Sequence, residues 1–330
     1  MSRMLNSREK DISMSNDVKK RFSSSWLFLL LANVLWASSY VVSKFVLQEL
    51  SVTMMLALRL GLSALLLLPF LIWHYQKVGL TRKDLFNLAL LSLIGFVVNK
   101  LLEFGGLALS TASDVALLIS AESLFTAAFS WLLLREPFKR GIGISLLIGF
   151  CGVYLVVGQG ILPTFSSANG GVWRMFGDIL VLLALLCEAY YTVRGKSMLA
   201  KHSPLVVTAA AIVGSMAVWG PVAGWEVVHS GWPQLDLISW LAIGWLAVMI
   251  TVVPYLLWFH GLSKVPGSVA ASTLFVQPLL GTLLAIVLLH EQLTLFTVAG
   301  GLLIILSVFV LSRQEYVGFS PTTMHEQVGR

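Results

Sequence analysis

LSTASDVALLISAESLFTAAFSWLLLREP, residues 109–137, and LSKVPGSVAASTLFVQPLLGTLLAIVLLHEQ, residues 262–292, read as two versions of one segment. Glu136 matches Glu291 and Glu122 matches Gln277, both at an offset of 155 residues. A weaker match joins 36–44 (WASSYVVSK) to 186–194 (LCEAYYTVR) at an offset of 150, and Pro69 and Pro221 fall at corresponding points. The chain therefore divides into two related halves.

Outward from these segments lie ten apolar stretches, at 26–47, 53–73, 86–108, 114–134, 141–159, 177–198, 205–228, 237–259, 268–289 and 293–311. Each approaches the ~20 residues that cross ~30 Å of hydrocarbon at 1.5 Å per residue. Of the 330 residues 57% are hydrophobic and 12% charged, against about 25% charged in a soluble domain. Mean hydropathy is +0.87. The expected fold is an all-α polytopic membrane protein of ten transmembrane helices. Five spans per half is an odd number, so the second half enters from the opposite side as an inverted repeat. The expected organisation is a cytoplasmic tail (1–25), a first five-helix repeat (26–159), an external linker (160–176), a second repeat (177–311) and a cytoplasmic tail (312–330).

The net charge of +6 invites a nucleic-acid reading, but the positions of the charges oppose it. Of 22 Lys and Arg, eighteen lie before the first span or after the even-numbered ones. Lys44 and Arg174 alone fall on the other side, while Arg59 and Lys100 lie within spans. Cationic excess marks the cytoplasmic face, so both termini are expected there, in the cytoplasmic membrane. The basic residues then meet anionic lipid headgroups rather than nucleic acid. Cys151 and Cys187 sit inside spans and imply neither a disulfide framework nor a metal site. No metal and no cofactor is expected.

Paired five-span halves, the Trp-x-Ser-Ser-Tyr stretch ending in Lys44, and Leu-Leu-x-Glu at the ends of the fourth and ninth spans together resemble the EamA-type drug/metabolite transporter superfamily. The likeness covers nearly all of residues 26–311. It implies a ten-span carrier of small metabolites in the cytoplasmic membrane, with exporters of amino acids and related compounds among its members. In that family Pro commonly follows the polar residue of the fourth and ninth spans. Pro278 keeps this after Gln277, whereas Ser123 follows Glu122.

An ionisable residue near the bilayer centre costs about 2.5–3.5 kcal/mol on insertion scales, so such residues face the bundle interior. Glu188 lies near the middle of the sixth span with Tyr191 one turn on. It reads either as a site for a substrate ammonium or a coupling proton, or as a structural carboxyl. Lys100 is a candidate for a substrate carboxylate, or pairs with Glu103 at i+3. Glu122 and Gln277 are repeat equivalents and candidates for the cavity wall. Arg59 reads as snorkelling to the headgroups or pairing with Glu103. Asp114 reads as a helix N-cap. Trp36, Tyr40 and Tyr191 lie deeper than the interfacial tryptophans and are candidates to contact the solute.

The expected function is a secondary transporter, an exporter of small polar or amphipathic metabolites such as amino acids, working by alternating access. Proton coupling, exchange and simple facilitated flow all remain open. A membrane enzyme is the alternative. It would need a catalytic constellation, and the sequence holds no H-E-x-x-H, no G-x-S-x-G and no acidic metal pair. A non-transporting scaffold is the other alternative.

Overall fold

A computed structural model describes residues 27–78, 81–122, 124–125, 140–158, 171–199, 201–262, 273 and 276–318. The N-terminal residues 1–26, Glu136, residues 159–170 of the linker and the C-terminal residues 319–330 lie outside them. Every regular element among the described residues is helical. In chain order these are α1 (Leu27–Val46), α2 (Val52–Val78), α3 (Arg82–Leu109) and α4 (Ala112–Ile119). Then come α5 (Arg140–Gly158), α6 (Gly171–Leu199) and α7 (Pro204–Ser230). The consecutive segments Leu237–Ala247, Val248–Val252 and Val253–Leu262 make up α8. Helices α9 (Val276–Leu289) and α10 (Leu295–Gly318) complete the series.

Helices α1, α2, α3, α7 and α8 are each long and apolar enough to cross a membrane, and α5, α9 and α10 carry shorter apolar runs. Their outer faces expose Leu65, Leu147, Trp225, Leu241 and Leu302, among many others. Water does not tolerate so continuous an apolar surface, whereas lipid does. The chain is an all-α polytopic membrane protein.

Local chemistry sets the helix starts. Thr81 and Asp84 form a capping box at α3. Ser203 caps α7 ahead of Pro204, whose missing N–H is no loss in a first turn. Asp236 caps α8 by accepting from the Ser239 N–H at 2.7 Å. At α4 the cap is Thr111, whose hydroxyl accepts from the Asp114 N–H. Asp114 itself, expected as the cap, is fully buried and pairs with Arg174 of α6. Thr297 of α10 donates to its other oxygen at 3.2 Å. A carboxylate three residues inside the helix still meets the positive helix end, and the arginine across the bundle makes it a tether rather than a cap. Glu291 adds a second tether. From beyond the end of α9 its carboxylate takes the Ala112 and Ser113 N–H groups at 2.8 and 2.9 Å. At the same end of the bundle Lys44 donates to the last carbonyls of α3, Leu107 O at 2.6 Å and Ala108 O at 3.2 Å.

The closest helix pairings are α5 with α10, α2 with α7, α4 with α9 and α3 with α6. The first three join helices that stand in equivalent places in the two halves. Gly152 and Gly300 show why α5 and α10 approach so closely. A Cβ on either would stand 2.6 Å from the other's carbonyl oxygen, so only glycine lets these backbones touch.

Helices α3 and α8 share an irregularity. Each contains a π-helical turn, at Leu93–Val98 and at Val248–Val252, and the two begin 155 residues apart, the offset that relates Glu122 to Gln277. A π turn displaces carbonyls from their ordinary partners, and in an apolar bundle each needs a replacement. In α8 the Thr251 hydroxyl takes Leu246 O at 2.9 Å and Ser63 of α2 takes Ala247 O at 3.1 Å. Pro254 has no N–H to offer Ile250 O, and the Trp36 indole supplies one at 3.1 Å. In α3 the Phe96 carbonyl accepts from the Trp219 indole at 3.0 Å. Both turns therefore bind an indole from another helix.

Candidate functional site

The two π turns flank a cavity of about 450 Å³ between the halves, within the ~300–1,000 Å³ range of small-molecule sites. Trp36, Tyr40, Lys100, Glu122, Glu188, Tyr191 and Gln277, the seven residues singled out in the sequence, all line it. They come from α1, α3, α6 and α9, with Glu122 just beyond the end of α4. Arg59, Asn99, Glu103, Thr251, Tyr255 and Trp258 complete its polar and aromatic wall.

The charged groups fall into a paired set and an unpaired set. Lys100 Nζ lies 2.7 Å from Glu103 Oε2, the i+3 contact that the helix spacing predicts. The Tyr40 hydroxyl donates to the other Glu103 oxygen at 3.1 Å. Lys100 is thus committed to its own helix, which weakens its candidacy for a solute carboxylate. Arg59 does not snorkel. Only 8% of it is exposed, its Nε donates to Thr251 at 3.1 Å, and its guanidinium lies over the Phe104 ring at 5.1 Å. Its Nη1 is buried without a hydrogen-bond partner. Glu122 and Glu188 make no hydrogen bond or ion pair among the described residues, although both line the cavity. Each senses the charges of Lys100 and Glu103, and Glu122 also senses Glu188.

Aromatic rings form two walls. Trp36 packs edge-on to Tyr255 at 5.5 Å and tilted to Trp258 at 5.6 Å. Tyr191 meets Phe96 edge-on at 5.9 Å. Gly95, inside the first π turn, leaves room for Tyr191: a Cβ there would lie 2.5 Å from the ring. Gln277 is turned toward α1, donating to Asn33 at 2.6 Å, and Asn33 in turn donates to Thr273 at 2.8 Å. This chain pins α9 to α1 beside the cavity.

Sequence reasoning did not place Arg59 or Thr251 in the site. Arg59 lies near a span end, where snorkelling is the ordinary outcome, and its partner Thr251 lies in the α8 π turn, 192 residues away. A signal was present in Pro254, which predicts a freed carbonyl four residues earlier.

A helical membrane bundle built around a charged, aromatic-walled compartment of metabolite size has the architecture of a solute transporter. The chain belongs to the EamA-like transporter family, whose model matches residues 23–158 and 175–313. An uncharacterized transporter of Archaeoglobus fulgidus is 26% identical over 297 residues, covering 89% of this chain and 99% of that one. Uncharacterized transporter YetK of Bacillus subtilis is 26% identical over 295 residues, 89% of this chain and 88% of the relative. An S-adenosylmethionine/S-adenosylhomocysteine transporter of Chlamydia muridarum is 31% identical over 169 residues, about half of each chain (50% and 51%). A solved crystal structure shares the fold with a TM-score of 0.61 at 18% identity, over 88% of this chain and 98% of that one.

Proposed function

We propose that this chain is a secondary transporter that moves small polar or amphipathic metabolites, amino acids among them, outward across the cytoplasmic membrane. In this reading α1–α10 each cross the bilayer as two inverted five-helix repeats, with both termini in the cytoplasm. The observation that carries it is the cavity between the halves, where unpaired carboxylates and aromatic rings face one space. Such a space binds a solute that is partly charged and partly apolar. The relative named for S-adenosylmethionine and S-adenosylhomocysteine supports a solute of that size and character.

Alternating access needs an element that bends in each half, and the matched π turns in α3 and α8 fill that role. Both lie against the cavity, and Trp36 touches solute space and a turn carbonyl together. Occupancy of the cavity thereby bears on the α8 turn. Glu122 and Glu188 are the groups placed to take a solute cation or a coupling proton.

The test is transport by purified protein in liposomes, with a labelled metabolite pool and an imposed or absent pH gradient. Accumulation or counterflow of at least one solute is expected. A Glu188→Gln protein with unchanged rate and pH profile would remove that residue from the mechanism, and failure to move any solute would remove the transport reading itself.

A further inference from the structure

The site's own charges carry a statement about the solute. Arg59 and Lys100 face Glu103, Glu122 and Glu188 across one cavity, so among the described residues the wall holds one formal negative charge in excess. Pairing makes the excess specific. Glu103 is held by Lys100 and by the Tyr40 hydroxyl, and Arg59 is engaged by Thr251 and stacked on Phe104. The two carboxylates left over, Glu122 and Glu188, have no protein partner among the described residues. A buried ionised carboxylate without a partner is costly, so whatever fills this space is expected to bring positive charge.

The walls agree with this. Trp36, Tyr255, Trp258 and Tyr191 present ring faces and edges around the same volume, and aromatic faces attract organic cations. Arg59 lines the same space, which places its guanidinium to meet a solute acceptor. A carbonyl or hydroxyl fills that role without restoring the charge imbalance. An added carboxylate would restore it.

Within the transport reading, we propose that the solute enters as a monocation: an organic ammonium or sulfonium with an aromatic or apolar body and a neutral acceptor group. Its cation lies between Glu122 and Glu188, its body against the Trp36 and Tyr191 walls, and its acceptor toward Arg59. This narrows the amino-acid class to members whose carboxylate is masked or outweighed by a second cation.

A series with one aromatic body and three charges tests it. In mildly acidic buffer phenylalanine methyl ester is a monocation, phenylalanine a zwitterion and N-acetylphenylalanine an anion. Calorimetric titration of each into the purified full chain is expected to rank the ester tightest, by about tenfold or more over the other two, as suits a charge-assisted contact. Glu122→Gln and Glu188→Gln should each weaken the ester about tenfold. Glu226→Gln, which lies away from the cavity beside Ser51 and Thr53, should leave it unchanged. Equal or tighter binding of the zwitterion or the anion overturns the proposal, as does an unchanged ester affinity in folded Gln variants, the result for permanently protonated structural carboxyls. Should none of the three bind while liposomes still take up a solute from the metabolite pool, the charge of that solute decides: a cation upholds the proposal and any other class overturns it. The absence of any transported solute is a separate readout, and it strikes the transport reading instead.

Discussion

Trp219→Phe tests whether the π turn of α3 depends on a borrowed donor. Trp219 is 2% exposed and its indole Nε1 lies 3.0 Å from the Phe96 carbonyl, itself in a buried residue. Phenylalanine keeps most of the apolar ring and removes the N–H. The carbonyl then sits in an apolar interior short of one donor, a loss of about 1–3 kcal/mol. That corresponds to about a 5- to 150-fold fall in the folded-to-unfolded ratio, at roughly 1.4 kcal/mol per factor of ten. Chemical denaturation in detergent micelles measures it directly. Trp225→Phe is the comparison, because Trp225 is 68% exposed and surface changes of this kind stay within about 0.5 kcal/mol. If Trp219→Phe proves as stable as Trp225→Phe, the indole does not sustain the turn, and the backbone accounting given for both π turns is wrong.

Gly300→Leu should separate α5 from α10, because its Cβ alone would stand 2.6 Å from Gly152 O, and overpacking of this kind costs about 1–3 kcal/mol. Gly105→Ala, where nothing lies within 4 Å, should instead be neutral or gain up to about 1 kcal/mol in the same melting assay. Arg174→Met should destabilise by about 3–5 kcal/mol by stranding buried Asp114, and adding Asp114→Asn should recover part of that loss. Melting temperatures of the single and double variants check this, and a double variant worse than the single contradicts it. At Asp236, the bond from the Ser239 N–H holds the carboxyl below the usual carboxylate range. Its capping stability is therefore present above the unfolded-state pKa and is lost as pH falls through the lower, folded-state value. Asp236→Ala should melt below wild type at neutral pH, with the gap closing in strong acid; a gap constant with pH would show that the cap carries no charge.

The apolar stretches were legible in the sequence because lipid demands a continuous apolar run at least one bilayer thick, and composition alone reports that. The interior acids were legible for the converse reason: Glu188 and Glu122 are too costly in lipid to face outward, so one compartment had to receive them, together with Trp36, Tyr40 and Tyr191. The Lys100–Glu103 contact follows from helical spacing. Other features depend on geometry that no local pattern carries. The segment 93–98, LIGFVV, looks like any apolar helix, and the partners that its π turn meets, Trp219 and Tyr191, come from other helices. Asp114 has the residue type of a cap, yet Thr111 three positions earlier takes the cap and Arg174, sixty residues on, claims the carboxylate. Arg59 is held by Thr251, which sits in the irregular turn of α8.

Alternating access requires one cavity reached from each side of the membrane in turn. Ser39 lines it and is 6% exposed. Ser39→Cys, with Cys151 and Cys187 replaced by Ala, leaves one thiol in the chain and puts it there. In oriented vesicles, a membrane-impermeant thiol reagent should modify it from either side, and a transported solute should slow both reactions. Labelling from one side only, or from neither, would contradict the account.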